Sequence, residues 1–226
     1  MRLLARSLVF GALALAGFNA QAAVPDAANA VFHDESIAVP LHNGAVYIYD
    51  SGNGVMKPAL AVCRNTTTKA EEALLASGCA DGFEQGFIDP TSQQPVGEGM
   101  GVSEFAAYRL LDASDATALG LTTRDGRKYS AVLIANQPGG SGVFVSLGLV
   151  SAEGTGRQGS RLVLLGDRVV PQRLVFDAAT QQLRVTFLER GPSDSMASPP
   201  GKRVQRSFRI KGGELVEVKA TQRKGR

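Results

Sequence analysis

The sequence predicts a mainly β protein, α+β overall, with an antiparallel β meander or sandwich in its second half and a short disulfide-clamped helix in its first half. Three observations favour this fold. Short segments of alternating polarity recur through the second half, 26 glycines and ten prolines supply turns, and one segment between two cysteines has the composition of a helix. A hydrophobic content of 44% with 20% charged residues excludes a wholly disordered chain.

Residues 1–22 have the three parts of an export signal peptide. Arg2 and Arg6 give a basic start, residues 8–18 are apolar, and Ala20-Gln21-Ala22 is a small-x-small cleavage site. We therefore expect cleavage before Ala23 and a periplasmic or secreted mature protein. No later apolar run approaches the roughly 20 residues that a membrane-spanning helix needs, so no transmembrane segment is predicted.

Residues 23–115 are predicted to form an acidic N-terminal α+β portion. Ala45 to Tyr49 has the alternation of a strand. Ser103 to Asp112 is compatible with a helix or a strand, and we favour a helix. The first half therefore contributes both types of element to the predicted fold.

The two cysteines of the chain, Cys63 and Cys79, are 16 positions apart. Two thiols in an oxidising compartment are usually joined, so a disulfide is predicted. Between them, Thr68 and Glu71 fit a capping box and Gly78 suits the residue after a helix end. We expect a short helix over residues 68–78, clamped by the disulfide. The spacing does not match a C-x-x-C redox motif or a zinc site.

Residues 116–219 are predicted to form a basic antiparallel β portion, followed by a frayed basic tail at 220–226. Asp125-Gly126 between two apolar runs is a strong hairpin signal. Further strands are predicted around Val143–Leu149, Leu183–Phe187, Val204–Lys211 and Leu215–Val218, with Gly212-Gly213 as the last turn.

The alternation in this β portion also predicts which side chains are buried. Phe187 and Phe208 are expected in the core on neighbouring strands. Arg184 and Arg209 are expected on the opposite faces, exposed to solvent.

Charge is distributed unevenly along the chain, although the net charge is only +3. The segment from Asp26 to Asp115 has 13 acidic and four basic residues, whereas Ala116 to Arg226 has 18 basic and eight acidic residues. Such asymmetry has two explanations: two halves that attract each other, or a molecule with one basic face.

The strongest candidate binding region lies around the loop from Gly191 to Pro200. Its prolines restrict the backbone, Asp194 is able to bond the main chain, and Met196 is its central apolar side chain. Basic residues follow directly: Lys202, Arg203, Arg206 and Arg209.

We expect this region to contact an anionic envelope component or a protein. The alternatives are that the loop only connects two strands and that its basic neighbours only neutralise the acidic half. Nucleic acid is not an expected partner, because the chain is predicted to be exported and aromatic stacking residues are scarce there. The sequence does not indicate an oligomeric state.

The search for catalytic motifs gives no assignment. Ser141 lies between glycines but lacks the second glycine of a G-x-S-x-G elbow. His33 and His42 are the only histidines, and Asp34 is adjacent to the first. No phosphate-binding loop or dinucleotide fingerprint occurs. We therefore predict no catalytic residue, no cofactor and no metal ligand.

Three blocks of the second half resemble a group of uncharacterised exported bacterial proteins. These blocks are Gly139-Gly140-Ser141-Gly142-Val143-Phe144, Leu165-Gly166-Asp167-Arg168-Val169, and the loop from Gly191 to Pro200. The group has G-G-S-G-T-F, then G-D-R-V, then G-P-x-D-P-M-C-C-P-T. Its adjacent cysteines are replaced by Ala197-Ser198 in this chain. The resemblance covers roughly residues 117–218 and implies a shared fold and export, with no assigned activity.

Three classes of function agree with these patterns. The favoured class is an exported, non-catalytic binding module of the cell envelope. The alternatives are an inhibitor of a wall-degrading or other hydrolase, and a hydrolase that uses carboxylates or His33.

Overall fold

The structure is a computed structural model that describes residues 27–52, 55–68, 71–73, 79–97, 105–139, 141–151, 157–195 and 197–218. The predicted signal peptide, Met196 and the basic tail lie outside these residues. The described strands are β1 (Val31–Asp34), β2 (Ile37–Pro40), β3 (Ala45–Asp50), β4 (Met56–Asn65), β5 (Glu71–Ala73), β6 (Phe83–Ile88), β7 (Phe105–Leu110), β8 (Ala118–Thr122), β9 (Lys128–Pro138), β10 (Phe144–Ser151), β11 (Gln158–Arg161), β12 (Val163–Asp167), β13 (Val170–Asp177), β14 (Gln182–Glu189), β15 (Lys202–Lys211) and β16 (Glu214–Glu217).

The strands form two sheets. The larger has twelve described strands, of which nine follow the order β2-β1-β11-β10-β9-β7-β3-β4-β5. Each of the other three pairs with one strand of this series: β12 with β10, β8 with β9, and β6 with β4. The smaller is a four-stranded meander in the order β13-β14-β15-β16. All pairs are antiparallel except β1 with β11, which is parallel.

The two sheets pack face to face around one apolar core. Strands β9 and β10 contribute Leu133 and Leu147, and the four-stranded sheet contributes Leu183, Phe187 and Phe208, all without solvent exposure. Because successive side chains of a strand point to opposite faces, the alternation seen in the sequence places this whole set on the inner side. The predicted antiparallel sandwich is confirmed here, and so is the burial of Phe187 and Phe208.

The opposite face of β9 and β10 supports a second core, because the larger sheet curls until β2 packs against β3 and β4. Phe32, Ile48 and Ile134 are buried in it, and Tyr108 lies at its rim. Strands β9 and β10 are thus covered on both faces, which explains why they are continuously apolar instead of alternating.

Several sequence predictions about individual elements are confirmed. The Asp125-Gly126 turn joins β8 and β9 as an antiparallel hairpin, with Gly126 at a φ of 85°. The strand predicted from Ala45 is β3, and Gly212-Gly213 turns β15 into β16. Cys63 and Cys79 are joined by a disulfide.

The helix predicted over residues 68–78 is wrong where the structure describes this segment. Residues 71–73 form β5, which pairs with β4 so that Cys63 lies opposite Glu72. The side chain of Asn65 accepts hydrogen bonds from the main-chain N–H groups of Thr67 and Thr68, and the chain turns back there. The local helix propensity was outweighed by strand pairing, which the disulfide reinforces. Residues 69–70 and 74–78 lie outside the described residues.

The favoured helix over Ser103 to Asp112 is also wrong, since residues 105–110 form β7. This strand lies between β3 and β9, where both of its edges are hydrogen-bonded. Phe105 and Tyr108 are buried and Arg109 is exposed. A central position in a sheet overrides the helix preference of the alanines in this segment.

Backbone pairing joins the acidic and the basic portions of the chain. Strand β7 of the first portion pairs with β9 of the second, and β1 pairs with β11. The charge of the chain changes at the proposed boundary between residues 115 and 116. The larger sheet, however, contains strands from both sides of this boundary.

Candidate functional site

Two of the three sequence blocks, 139–144 and 165–169, meet around one carboxylate, Asp167. Its Oδ1 accepts a hydrogen bond from Val143 N at 3.0 Å, and its Oδ2 binds the Arg190 guanidinium at 2.6 Å. The Arg168 main-chain N–H donates to Val143 O at 2.6 Å, and its guanidinium donates to the carbonyl of Ser141. These residues anchor the start of β10 and the end of β14 to each other, which is a structural role.

The loop from Gly191 to Pro200 is held by its own hydrogen bonds. Gly191 N donates to Asp194 Oδ2 at 2.6 Å, and Asp194 N donates to Gly191 O at 3.0 Å. Asp194, a predicted binding residue, therefore closes a turn with one carboxylate oxygen, although its side chain is on the surface. Met196, the other predicted loop residue, lies outside the described residues.

Two of the four predicted basic contacts, Lys202 and Arg206, are occupied within the protein. Lys202 Nζ is 2.7 Å from Glu189 Oε1. Arg206 binds Glu217 with two N–H groups, both at 2.7 Å, and donates to Leu164 O at 2.6 Å. Its side chain is on the inner side of the four-stranded sheet and is only 23% exposed. Arg206 thus ties β15 to β16 and to β12 of the larger sheet.

The other two predicted residues, Arg203 and Arg209, lie on the opposite side of β15. Val204 and Phe208 pack into the core, so the alternating neighbours Arg203 and Arg209 point outward and are exposed. Neither guanidinium has a hydrogen bond or an ion pair with the described residues. The structure therefore separates the predicted basic cluster into two tied and two free side chains.

Two further arginines share this outer side of the four-stranded sheet. Arg173 of β13 pairs with Thr186, and Arg184 of β14 pairs with Ser207. With Arg209, which pairs with Gln182, they form a diagonal across three strands. Strand geometry gives steps of about 8 Å along it. We call Arg173, Arg184, Arg203 and Arg209 the basic outer face.

One carboxylate, Asp177, moderates the basic outer face. Its Oδ2 is 2.8 Å from the Arg184 guanidinium. Hydrogen bonds from Thr180 hold the pKa of Asp177 below its usual value. A hydrogen bond from Ala179 and the positive charge of Arg184 lower this pKa further. Asp177 is therefore anionic at neutral pH and partly neutralises Arg184, whereas Arg173, Arg203 and Arg209 keep their full charge.

Sequence reasoning found part of this face and missed the rest. Arg184 was assigned to the side opposite Leu183 and Phe187, and that assignment is confirmed by the register. Arg173 was missed because no strand was predicted over residues 170–177, where β13 lies. The alternation of Leu174 and Phe176 was the signal that could have located it.

The residues considered for catalysis have the following positions in the fold. His33 is exposed on β1, and the adjacent Asp34 accepts a hydrogen bond from Tyr108 Oη at 2.8 Å. Ser141 is exposed, with its hydroxyl 3.3 Å from Arg168. Within the described ranges, no three His, Cys, Asp or Glu side chains come together as metal ligands would.

Comparison with known proteins finds no matching family model, no matching curated protein and no matching solved structure. Among the residues that the structure describes, no helix is long and apolar enough to cross a membrane.

Proposed function

We propose that this protein is an exported, non-catalytic binding module that contacts a phosphate-bearing component of the cell envelope. The observation that carries the proposal is the basic outer face. Three of its guanidinium groups, those of Arg173, Arg203 and Arg209, are exposed on one side of one sheet and have no partner among the described residues.

The choice of arginine supports a phosphate ligand. A guanidinium presents paired N–H donors that match two oxygens of a phosphate group, whereas an ammonium acts as a point charge. The diagonal of Arg173, Arg184 and Arg209 offers such groups at intervals of about 8 Å. A ligand with repeated phosphates, whether a phospholipid surface or a phosphorylated glycan, is able to engage several of them at once.

The apolar side chains on the same side fit a broad, flat contact. Val216 is 43% exposed beside Arg209, and Val170 is 42% exposed next to Leu188. These exposed valines on the two edge strands add apolar surface beside the arginines, along which the aliphatic parts of the arginine side chains are able to lie. This arrangement is a surface for attachment and provides no enclosed reaction centre.

The test is a binding measurement on the mature protein with two phosphate probes. One probe is a phosphatidylcholine vesicle with or without phosphatidylglycerol, and the other is a soluble phosphorylated polysaccharide. The test variant carries Arg203→Gln and Arg209→Gln. The matched control carries Lys57→Gln and Arg109→Gln, which remove two exposed charges from β4 and β7.

We expect the test variant to bind about 30-fold more weakly, from about 1 kcal/mol for each basic residue near an anionic surface. The control should change affinity less than about threefold. Binding should also weaken steeply between about 50 mM and about 200 mM salt. Equal losses in the two variants, or affinity that does not respond to salt, would contradict the proposal.

A second candidate function is inhibition of a hydrolase through the loop from Gly191 to Pro200. The observation in its favour is that Ser193, Asp194 and Ser195 are exposed on a turn that hydrogen bonds hold in place. Loops fixed by strands often carry recognition. An assay of wall-degrading hydrolases with wild-type protein and the variant Ser193→Arg would detect this function, because a bulky substitution at the tip should abolish inhibition.

A further inference from the structure

A cavity of about 480 Å³ opens at the rim of the curled larger sheet. The turn between β1 and β2 forms one wall with Asp34 and Glu35, and Arg161 of β11 is part of the lining. Phe144 and Leu164 supply apolar surface. Its volume is within the range of roughly 300–1,000 Å³ that small-molecule sites occupy.

The cavity holds opposite charges that do not neutralise each other. Asp34 and Glu35 are acidic and Arg161 is basic, yet no ion pair between described residues joins Arg161 to either carboxylate. The other large cavity, about 420 Å³ beside the β8–β9 turn, is different. There Arg124 donates to Gln181 and to the carbonyl of Ala179, so its polar groups are satisfied internally.

One polar atom in the cavity wall is buried without a hydrogen-bond partner. It is Oδ1 of Asn136, at the end of β9. The Asn136 side chain also lies close to Tyr108, yet its Oδ1 has no donor among the described residues. A buried acceptor without a donor is rare in folded proteins, because it has lost its hydration without compensation.

Tyr108 fixes the neighbouring acidic group. Its hydroxyl donates to Asp34 Oδ2 at 2.8 Å. Burial, and then the contact with Asp34, raise the pKa of Tyr108 well above its usual value, so the phenol remains a donor at physiological pH. The carboxylate of Asp34 is therefore held in one orientation, and its second oxygen has lone pairs left for a ligand.

The turn that carries Glu35 shows backbone strain in the same place. Glu35 has a φ of 52°, in the left-handed region that glycine or asparagine usually occupies. A carboxylate is thus present where a turn alone would favour another residue. Such outliers cluster at binding sites, where the surrounding structure maintains them.

Apolar side chains complete the cavity. Leu164 is 53% exposed on β12, and Phe144 lies directly opposite Asn136 in the pairing of β9 and β10. An exposed leucine next to a half-buried aromatic ring offers a contact for an aliphatic group. The cavity therefore combines acceptors, one cationic donor and an apolar wall within a single space.

We propose that this cavity binds a small zwitterion with an apolar side chain, of amino-acid or dipeptide size. The ammonium group of the ligand contacts Asp34 and Glu35. Its carboxylate contacts the Arg161 guanidinium, and its side chain lies against Phe144 and Leu164. This site is independent of the proposed phosphate contact on the basic outer face.

The test is calorimetric titration of the mature protein with L-leucine and L-leucyl-L-leucine. Two analogues of L-leucine separate the roles of the charges: leucinamide lacks the carboxylate, and N-acetyl-leucine lacks the ammonium group. Two variants mirror them: Arg161→Gln removes the cation of the site, and Glu35→Gln removes one anion. Arg109→Gln, on β7 and outside the cavity, is the matched control.

We expect at least one zwitterion to bind and each analogue of L-leucine to bind at least about tenfold more weakly, since each lost contact is charge-assisted. Arg161→Gln should weaken the zwitterions and leave leucinamide unchanged, whereas Glu35→Gln should weaken the zwitterions and leave N-acetyl-leucine unchanged. The control should bind like the wild type. Both substitutions change exposed side chains, and thermal unfolding of each variant checks that the fold is retained.

Two results would overturn the proposal, and a third would contradict the role of Glu35. One is the failure of both zwitterions to bind at about 10 mM, where even weak ligands are detected. The other is binding that the removal of either charge, in ligand or protein, does not change. The variant Glu35→Gly relieves the positive φ of the turn and removes the carboxylate. If this variant binds the zwitterions as tightly as the wild type, the proposed contact of Glu35 with the ammonium group is wrong.

Discussion

Replacing Arg206 by alanine should destabilise the protein, although its strand neighbour Arg203 should tolerate the same change. Arg206 makes two hydrogen bonds to Glu217 and one to Leu164 O, and its guanidinium lies 5.3 Å from the ring centre of Phe208. The partly exposed ion pair contributes about 1 kcal/mol and the ring contact about 0.5–1 kcal/mol. The hydrogen bond to the carbonyl adds about 1 kcal/mol.

Together these contacts predict a loss of about 2–3 kcal/mol in the free energy of unfolding for Arg206→Ala. Arg203→Ala should change it by less than about 0.5 kcal/mol, because that side chain is exposed on the outer side. Urea unfolding of both variants measures the difference, and the denaturant slope should be unchanged. If both variants lose the same stability, the assignment of the two arginines to opposite sides of β15 is wrong.

Three further predictions follow from the fold and one from the sequence. Phe187→Ala should cost about 3–5 kcal/mol of unfolding free energy in urea, since the ring is fully buried. Reduction of the Cys63–Cys79 disulfide, which closes a 16-residue separation, should cost about 3 kcal/mol, measured by urea unfolding with and without reductant. Because the pKa of Tyr108 is raised in the folded state, its contribution to stability is present below about pH 10 and is lost as the pH rises further. Tyr108→Phe should therefore flatten the alkaline decline in the free energy of unfolding; an unchanged decline would refute the assignment. The mass of the exported protein should correspond to a start at Ala23, and retention of Arg2 would contradict the predicted cleavage.

The sequence predicts the β elements well where one face alone is buried. In β14 every second residue is apolar, and in β15 only Arg206 interrupts the alternation of Val204, Phe208 and Ile210, so both strand and face were predictable. The errors fall where tertiary pairing decides. Both wrongly predicted segments contain helix-forming or small side chains. Residues 71–73 form a strand because they pair with β4. Residues 105–110 form a strand because they pair with β3 and β9.

The candidate sites were predictable only in part, for a related reason. Arg203 and Arg209 could be identified as exposed from alternation alone. The pairing of Arg206 with Glu217 depends on the register of β15 with β16, which the sequence does not reveal. The zwitterion cavity was not predictable, since Asp34 and Arg161 are distant in sequence and meet only through the parallel pairing of β1 with β11.

The register also bears on the two explanations for the uneven charge of the chain. If the basic half existed to neutralise the acidic half, its arginines would pair with acids before residue 116. Instead, Lys202 and Arg206 pair with Glu189 and Glu217, which belong to the basic half itself. The two halves are joined by strand pairing, which does not depend on charge. Arg203 is therefore free for an external anion, and Arg203→Glu, which changes two charge units, should weaken phosphate binding about 30-fold while the fold retains its stability.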